Sequence, residues 1–145
     1  MKIIKISTEL EMSVHEFPEG SMGEQRKDLC KLIGNDCDML EHVMARRIYT
    51  ELKMSNRPSR TPGICVSMLI DEEGRLKPNR INLIGSYLYE TDKHGQPIVG
   101  NILFIGEKMG NSGIDFCGIS EENFDRLKKG LVNMFPVIKV AEVKE

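Results

Sequence analysis

The sequence predicts a single α+β domain, in which one sheet and two main helices share a core. Its 145 residues match the usual size of one domain. Apolar runs at residues 66–70 and 102–106, together with the alternating segment 2–7, are typical of strands. Residues 21–33 and 121–134 each carry one apolar stripe at helical spacing. We therefore expect a mostly antiparallel or mixed sheet, with both helices packed mainly on one face.

The N-terminal segment is predicted to form a β-hairpin followed by a helix. Residues 2–7 and 11–17 both alternate apolar and polar side chains, which favours two paired strands. Ser21 can then cap a helix, with Glu24 three residues later completing a capping box, and Gly34 is suited to end it. Because this helix has one apolar stripe, we expect it to lie on the sheet.

Residues 38–54 support two interpretations. Apolar side chains fall at helical spacing, namely Leu40, Val43, Met44, Ile48 and Leu52. The same segment also divides into two alternating faces, and Ile48, Tyr49 and Thr50 are residue types that favour strands. These observations leave helix and strand open.

Residues 46–63 are predicted to form a long inserted hairpin arm. Its distal part, residues 55–63, holds two prolines, a glycine and small polar residues, so it must be a loop. This loop offers almost no apolar area to bury, and it carries Arg57 and Arg60. We therefore expect the arm to serve recognition and to contribute little to the core.

The second half of the chain is predicted to supply two further strands. Residues 64–70 form the first of them, which ends in the turn 71–74. Residues 98–107 form the other, after an exposed turn at residues 90–97. Residues 109–118 are rich in glycine and are expected to be irregular.

The last helix has clear start and stop signals. Ser120 can cap it, and Glu121 and Glu122 lie in its first turn, where the helix dipole favours negative charge. Pro136 follows the last apolar residue of the stripe and should end the helix. The tail at residues 137–143 is expected to be a short strand or an extension without regular structure.

Charge and composition narrow the class of protein. The chain has 20 basic and 22 acidic residues, so it lacks the strongly basic character of a dedicated nucleic-acid-binding domain. The N-terminus alternates like a strand and does not resemble the apolar core of a signal peptide. No apolar stretch approaches the roughly 20 residues of a membrane span. We expect a cytoplasmic protein without membrane association.

The four cysteines, Cys30, Cys37, Cys65 and Cys117, are scattered and no pair has the C-x-x-C spacing. Free thiols of a reducing compartment are the expected state. A zinc site of Cys30, Cys37 and His42 is disfavoured, because structural zinc is usually held by two closely spaced ligand pairs. We expect no bound metal.

No motif of the sequence matches a known catalytic or cofactor-binding pattern. The carboxylates at residues 71–73 lie on a turn without further ligands nearby, which predicts a solvated turn. Gly106, Gly110 and Gly113 fit neither common phosphate-binding loop. The serine-nucleophile elbow and the zinc-deaminase signature are also absent from the sequence. We therefore expect a non-catalytic protein without a cofactor.

Several short motifs recur in an order that resembles a known family. They are residues 32–34 (Leu-Ile-Gly), 40–43 (Leu-Glu-His-Val), 71–74 (Asp-Glu-Glu-Gly), 78–80 (Pro-Asn-Arg) and 98–106, before a helix with an acidic start. The chain resembles a family of small proteins, classed as a domain of unknown function, carried by phages, plasmids and conjugative elements of Gram-positive gut bacteria. The insertion at residues 46–63 and the glycine-rich loop before the last helix depart from the family pattern.

The resemblance implies a genetic context and brings no activity with it. In the family, the segment that matches residues 40–43 is a strand, so we interpret residues 40–52 as a strand and keep a helix as the alternative. The context suggests an accessory protein of a mobile element. Such a protein is expected to bind a host factor, for example a defence component, and to inhibit or modulate it.

Basic and aromatic side chains are the candidate binding residues. They are Arg46, Arg47, Arg57, Arg60, Asn79, Arg80, Tyr87 and Tyr89. Guanidinium groups bind phosphates and carboxylates, and tyrosine rings can stack on bases or fill a partner's pocket. In the alternative interpretation, the arginines only solvate a long hairpin and the tyrosines pack on the sheet. The sequence thus predicts a host protein as partner, with nucleotide or nucleic-acid binding as the second hypothesis.

Overall fold

The fold is taken from a computed structural model, which describes residues 1–141. The strands are β1 (Lys2–Ile6), β2 (Glu11–Glu16), β3 (Leu40–Val43), β4 (Cys65–Asp71), β5 (Ile102–Gly110), β6 (Gly113–Cys117) and β7 (Lys139–Val140). The helices are α1 (Met22–Ile33), α2 (Arg46–Glu51), α3 (Leu83–Leu88), α4 (Thr91–His94) and α5 (Glu121–Met134), and a 3-10 turn spans Gly74–Leu76.

The seven strands form one mixed sheet. Its order is β3-β4-β5-β1-β2-β7, and β6 also pairs with β5. All pairs are antiparallel except β2 with β7. β4 and β5 pair from Cys65 opposite Glu107 to Leu69 opposite Leu103. The prediction that the N-terminal hairpin and the two later strands share a sheet is confirmed.

Helices cover both faces of this sheet, so the prediction that both main helices pack on one face is wrong. On one face, Leu29 of α1 packs in a cluster with Ile3 and Leu103. On the other face, α2, α3 and α5 pack on the alternate residues of the same strands, such as Ile4 and Phe104. The central strands are apolar at consecutive positions, which is the pattern of a strand buried on both sides.

The predicted hairpin and first helix are confirmed. β1 and β2 pair antiparallel, with Lys2 opposite Glu16. At the start of α1, the Ser21 hydroxyl accepts a hydrogen bond from the Glu24 backbone N–H, while the Glu24 carboxylate accepts one from the Ser21 N–H. Gly34 ends the helix with a φ of 79°.

Residues 40–52 are not one strand. β3 ends at Val43, and α2 occupies Arg46–Glu51, so the strand interpretation holds for the first part and the helix interpretation for the second. β3 pairs with β4 from Leu40 opposite Asp71 to Val43 opposite Met68. Ile48 then turns into the core and is fully buried, which a continued edge strand would not achieve.

The predicted hairpin arm does not form. Residues 46–51 are helical, and Ile48 and Met54 belong to the core cluster under α5. Gly130 of α5 lies so close to Leu52 that a methyl group there would overlap its side chain. The first half of the insertion therefore contributes to the core, against expectation, and only residues 55–62 remain as a loop at the surface.

Two short helices were not anticipated. α3 begins at Asn82, whose side-chain oxygen accepts a hydrogen bond from the Gly85 N–H. α4 occupies the middle of the predicted turn at residues 90–97 and ends at Gly95, which has a φ of 79°. Helices of six and four residues are too short to show a clear apolar period in the sequence.

The last helix is confirmed at Glu121–Met134, with Ser120 as its N-terminal cap residue. The Ser120 side chain makes no capping hydrogen bond. In the tail, Lys139–Val140 forms the short strand β7, while residues 142 and 143 of the predicted tail lie outside the described residues. None of the helices within residues 1–141 is both long enough and apolar enough to cross a membrane.

Candidate functional site

The structure separates the predicted binding residues into three places. These are α2 and α3 with Arg46, Arg47, Tyr87 and Tyr89, loop 55–63 with Arg57 and Arg60, and loop 76–83 with Asn79 and Arg80. The first loop lies where β5 ends, because the Met109 N–H donates to the Ser59 carbonyl. The second lies before β5 begins, because the Gly100 N–H donates to the Arg80 carbonyl. The nine residues of β5 extend about 30 Å, so the two loops lie at opposite ends of the sheet.

Arg47 is held by neighbours within the fold. Its guanidinium lies 4.1 Å from the centroid of the Tyr87 ring and donates a hydrogen bond of 2.8 Å to Asp92. It also donates to the Tyr87 carbonyl at 3.0 Å, and its Nε lies 3.8 Å from Glu90. The hydrogen bond from Arg47 lowers the pKa of Asp92. The charge of Arg47 is thus balanced inside the protein by Glu90 and Asp92, which neither interpretation of the sequence anticipated.

The other three predicted residues near α2 and α3 also contact side chains of the protein itself. The Tyr87 hydroxyl lies 3.3 Å from both oxygens of the Glu51 carboxylate. Tyr89 is half-buried and meets the His94 ring edge to face, with centroids 4.8 Å apart. Arg46 lies 3.9 Å from Glu90 and stays largely exposed. Of the two arginines here, Arg46 is the one whose charge is more accessible to a partner.

Loop 55–63 is anchored at its end and exposed along its length. Gly63 has a φ of 78°, and a Cβ on it would overlap the backbone of Gly118 and Ser120. Only glycine fits this position, which ties the loop to the segment before α5. Arg57 and Arg60 are both exposed. They remain candidates for a partner contact, at the end of the sheet away from loop 76–83.

Loop 76–83 is fixed by two asparagines. The amide nitrogen of Asn79 donates to the Gly74 carbonyl at 2.9 Å, and its oxygen accepts from Asn35 at 2.9 Å. Asn79 therefore holds the loop in place through two hydrogen bonds within the fold. Arg80, the next residue, is exposed.

Asn82 is the second anchor of this loop and is fully buried. Its amide nitrogen donates to the carbonyls of Ile6 and Gly100, at 3.2 and 3.0 Å, and its oxygen caps α3 through the Gly85 N–H. Both donors and the acceptor of this amide are thus satisfied. The backbone of the loop is held against β1 and the entry to β5.

The same loop exposes aliphatic side chains. Leu76 is 83% exposed, Leu83 is 65% exposed and Ile81 is 51% exposed. Single exposed apolar residues are common on protein surfaces, but three within eight residues of a fixed loop are a local concentration. Loop 76–83 therefore combines a rigid backbone, an exposed arginine and an exposed apolar surface.

A groove of about 390 Å³ lies at the other end of the sheet, beside loop 55–63. Ser67 of β4 and Glu107 of β5 line it together with residues of β3, α2, β6 and the loop, among them His42, Tyr49, Asn56, Ile114 and Phe116. The antiparallel register brings Cys65 opposite Glu107, and Ser67 two residues further lies on the same face. The groove thus opens over the α1 face of the sheet.

Glu107 is the buried charged group of this groove. Its Oε1 accepts a hydrogen bond from the Ser67 hydroxyl and lies 3.3 Å from Nε2 of His42. The side chain is only 8% exposed. No hydrogen bond reaches Oε2 in the described part of the chain, and that part contains no fully buried side-chain oxygen without a partner. Oε2 is therefore not fully enclosed by the protein, and we assign its accessible surface to the groove that Glu107 lines.

The electrostatics of the groove keep Glu107 ionised. Burial alone would raise the pKa of Glu107, but the hydrogen bonds from His42 and Ser67 outweigh it and hold the pKa below the usual 4.5. Burial, followed by the charge of Glu107, raises the pKa of Cys65 to about 11. Burial and the nearby Cys65 and Glu107 raise the pKa of Tyr49 as well. At neutral pH the site therefore holds the ionised Glu107 carboxylate beside the protonated side chains of Cys65 and Tyr49.

The acidic turn after β4 differs from its prediction. Asp71 is buried, not solvated, and its carboxylate lies 2.7 Å from the Lys77 ammonium. The 3-10 turn at Gly74–Leu76 brings Lys77 back over the end of the strand. Glu72 and Glu73 are exposed, as expected. Among residues 1–141, no three His, Cys, Asp or Glu side chains are grouped to hold a metal ion.

The groove residues were missed although the sequence contains a signal for them. Ser67 lies inside the apolar run 66–70, and Glu107 directly follows the apolar run 102–106. A polar residue in a strand buried on both faces needs a hydrogen-bond partner, so each could have been marked as a constrained position. That they pair with one another depends on the register of β4 and β5, which the sequence did not provide.

Comparison of the chain with protein-family models, with curated proteins and with solved structures finds no match. The resemblance to a family of mobile elements therefore stays a prediction. The geometry of the two ends of the sheet is the basis for a functional proposal.

Proposed function

We propose that this protein is a non-catalytic interaction protein that binds a partner protein through loop 76–83. The observation that carries this proposal is the exposure of Leu76, Ile81 and Leu83 on a backbone fixed by a fully buried asparagine. The resemblance to proteins of mobile elements also suggests which kind of protein the partner is. The partner would be a host factor, such as a defence component, which this protein inhibits or modulates.

The rigidity of the loop matters for binding. Ordering a flexible loop on association costs conformational entropy, and a loop already fixed in the free protein avoids much of that cost. Asn79 and Asn82 supply this fixation from within the fold. Exposed aliphatic side chains on such a loop can then bury apolar area against the partner.

Arg80 indicates the chemistry of the partner surface. It is exposed, and it lies next to Ile81 in the loop. Arginine is enriched at protein interfaces, where it pairs with carboxylates at the edge of an apolar contact. The partner would therefore offer an apolar depression with a carboxylate beside it.

The geometry favours a protein partner over a nucleic acid. Nucleic-acid binding depends on basic side chains that follow the phosphate backbone along one surface. Here Arg47 is neutralised by Asp92 and Glu90, and Arg57 and Arg80 lie at opposite ends of the sheet. The predicted basic residues thus do not combine into one such surface.

Site-specific photo-crosslinking in extracts of the native host tests the proposal. A photoreactive amino acid is placed at Ile81 or Leu83, and as a matched control at Val137, which is also 65% exposed but lies in the C-terminal tail. We expect the same host protein to be crosslinked from both loop positions and not from Val137. Loss of that crosslink on Arg80→Glu would agree with a carboxylate in the partner.

Two results would contradict the proposal. One is the absence of any protein crosslinked from the loop positions. The other is a set of crosslinks from Val137 that equals the set from the loop, since this would show non-specific contact.

A further inference from the structure

We infer that the groove beside Glu107 binds an organic cation, namely a protonated amine or a guanidinium group attached to an apolar chain. This is a second site, about the length of β5 away from loop 76–83, and it does not depend on the proposed function. Four features of the groove carry the inference: a buried carboxylate, an open oxygen on it, an incomplete charge balance and apolar walls.

The carboxylate of Glu107 is more than nine-tenths buried, yet only half of its hydrogen-bonding capacity is used. Oε1 receives both Ser67 and His42, while Oε2 opens into the groove. A buried carboxylate is costly unless its oxygens are paired. An N–H donor of a ligand would complete the set of bonds at Oε2, and a charged donor would do so most strongly.

Among residues 1–141, the charge of Glu107 also lacks a permanent counterion. In the described chain, His42 is the side chain found at ion-pair distance from Glu107, and no lysine or arginine lies within 4 Å of it. An imidazole carries a positive charge only when it is protonated, so it is not a permanent cation as lysine and arginine are. A ligand with a fixed positive charge would supply a permanent counterion.

The walls of the groove suit the apolar part of such a ligand. Tyr49 presents a ring, and Met44 and Ile114 present aliphatic surface. A cation beside an aromatic ring gains a further attraction from the ring electrons. The Phe116 ring already lies 4.6 Å from the Arg26 guanidinium, so Tyr49 is the ring available to a ligand. Asn56 also lines the groove, and an asparagine amide oxygen can accept an N–H.

Other ligand classes fit the groove less well. An anion would be repelled by the carboxylate of Glu107. A divalent metal ion needs several oxygen, nitrogen or sulfur ligands, and no three acidic, histidine or cysteine side chains of residues 1–141 are grouped in that way. An alkylguanidinium or alkylammonium needs one carboxylate and an apolar wall, which the groove provides.

A titration of the ¹⁵N-labelled protein at pH 8 tests this inference. The probes are n-butylammonium and n-butylguanidinium, with sodium chloride at equal ionic strength as the control. We expect saturable shifts of the amide signals of Asn56 and Ser67, which line the groove, and not of Asn82 at the opposite end of the sheet. Shifts that do not saturate, or that sodium chloride reproduces, would overturn the inference.

The variant Glu107→Gln separates charge from shape, because glutamine is nearly isosteric with glutamate. We expect it to bind the same probes at least about tenfold more weakly, since it replaces a charge-assisted hydrogen bond by a neutral one. Glu72→Gln, at an exposed position, is the matched control and should bind as the parent does. A folded Glu107→Gln protein with unchanged affinity would overturn the inference. If this variant does not fold, the titration of the parent protein alone tests whether the groove binds the cationic probes.

Capped tripeptides with a central lysine or arginine then distinguish two sources of the cation. Tighter binding of a tripeptide than of the butyl probe assigns the site to a basic side chain of another polypeptide. Tighter binding of the butyl probe assigns it to a small free ligand. Failure of all four probes to bind would overturn the inference.

Discussion

Asn82 and Glu107 are buried polar side chains at opposite ends of the sheet, and they differ in how completely their hydrogen-bonding groups are used. At one end, the amide of Asn82 uses both of its donors and its acceptor within the fold. At the other end, Glu107 uses Oε1 twice and leaves Oε2 open to a groove. Both residues lie beside a loop, but Glu107 is the one with an oxygen left over for a further hydrogen bond.

This difference indicates two kinds of surface. A buried group whose bonds are complete fixes the chain around it, so loop 76–83 offers a rigid apolar surface to a partner protein. A buried group with an open oxygen can form another bond, so the groove offers a specific polar contact to a small cationic group.

Asn82→Ala should have the largest effect. It removes the cap of α3 and leaves the carbonyls of Ile6 and Gly100 without their donor in a buried place. We expect the free energy of unfolding to fall by about 3 kcal/mol, from the lost cap and the unpaired groups together. Urea unfolding measures it, with Asn133→Ala on the exposed side of α5 as the control. A loss below about 1 kcal/mol would mean that the loop is fixed by other contacts.

Glu107→Gln should have a smaller and pH-dependent effect. At pH 7 we expect a loss of about 1–2 kcal/mol, because two hydrogen bonds to a charged acceptor become neutral ones. The folded-state pKa of Glu107 lies below 4.5, so its contribution is present above that value and is lost as pH falls through the folded-state pKa. The stability difference between variant and parent should therefore shrink as the pH is lowered from neutral to below 4.5 and through the folded-state pKa. A constant difference over this range would show that the Glu107 carboxylate has an ordinary pKa.

Arg57→Glu and Arg60→Glu should have the smallest effect on stability. Both side chains are exposed, and a surface substitution of this kind changes the free energy of unfolding by no more than about 0.5 kcal/mol. Binding of an acidic or phosphate-bearing partner at this end should instead fall steeply and with a strong salt dependence. Arg47→Glu should lower the free energy of unfolding more than these two substitutions do, because it places a carboxylate beside those of Glu90 and Asp92. Thermal unfolding measures this difference. Equal losses of stability in Arg47→Glu and Arg57→Glu would contradict the internal pairing of Arg47.

Much of the fold could be predicted where the signal is local. The capping box of Ser21 and Glu24, the stop at Gly34 and the extent of α5 all depend on residues within one or two helical turns. The faces of the sheet could not be assigned in this way. Each helix shows one apolar stripe, but the choice of face depends on the path of the connecting chain, which periodicity does not report.

The candidate sites show the same limit. Residue type alone marks the arginines as candidate binding residues. In the structure, Arg47 is neutralised by Glu90 and Asp92, which are 43 and 45 positions away in sequence. Glu107 was passed over because a single glutamate after an apolar run has no motif around it. Its role emerges only when the register of β4 and β5 places Ser67 beside it and β3 brings His42 within reach. Contacts between distant residues decide both cases.

Affinity for the crosslinked host protein shows whether loop 76–83 is the partner-binding surface. The host protein crosslinked from this loop is titrated against the parent, against the double variant Ile81→Ser and Leu83→Ser, and against Val137→Ser. Since each buried aliphatic side chain contributes about 1.5–3 kcal/mol, we expect the double variant to bind at least about tenfold more weakly, with unfolding unchanged. The Val137→Ser protein should bind as the parent does. A folded double variant that binds as tightly as Val137→Ser would contradict the claim.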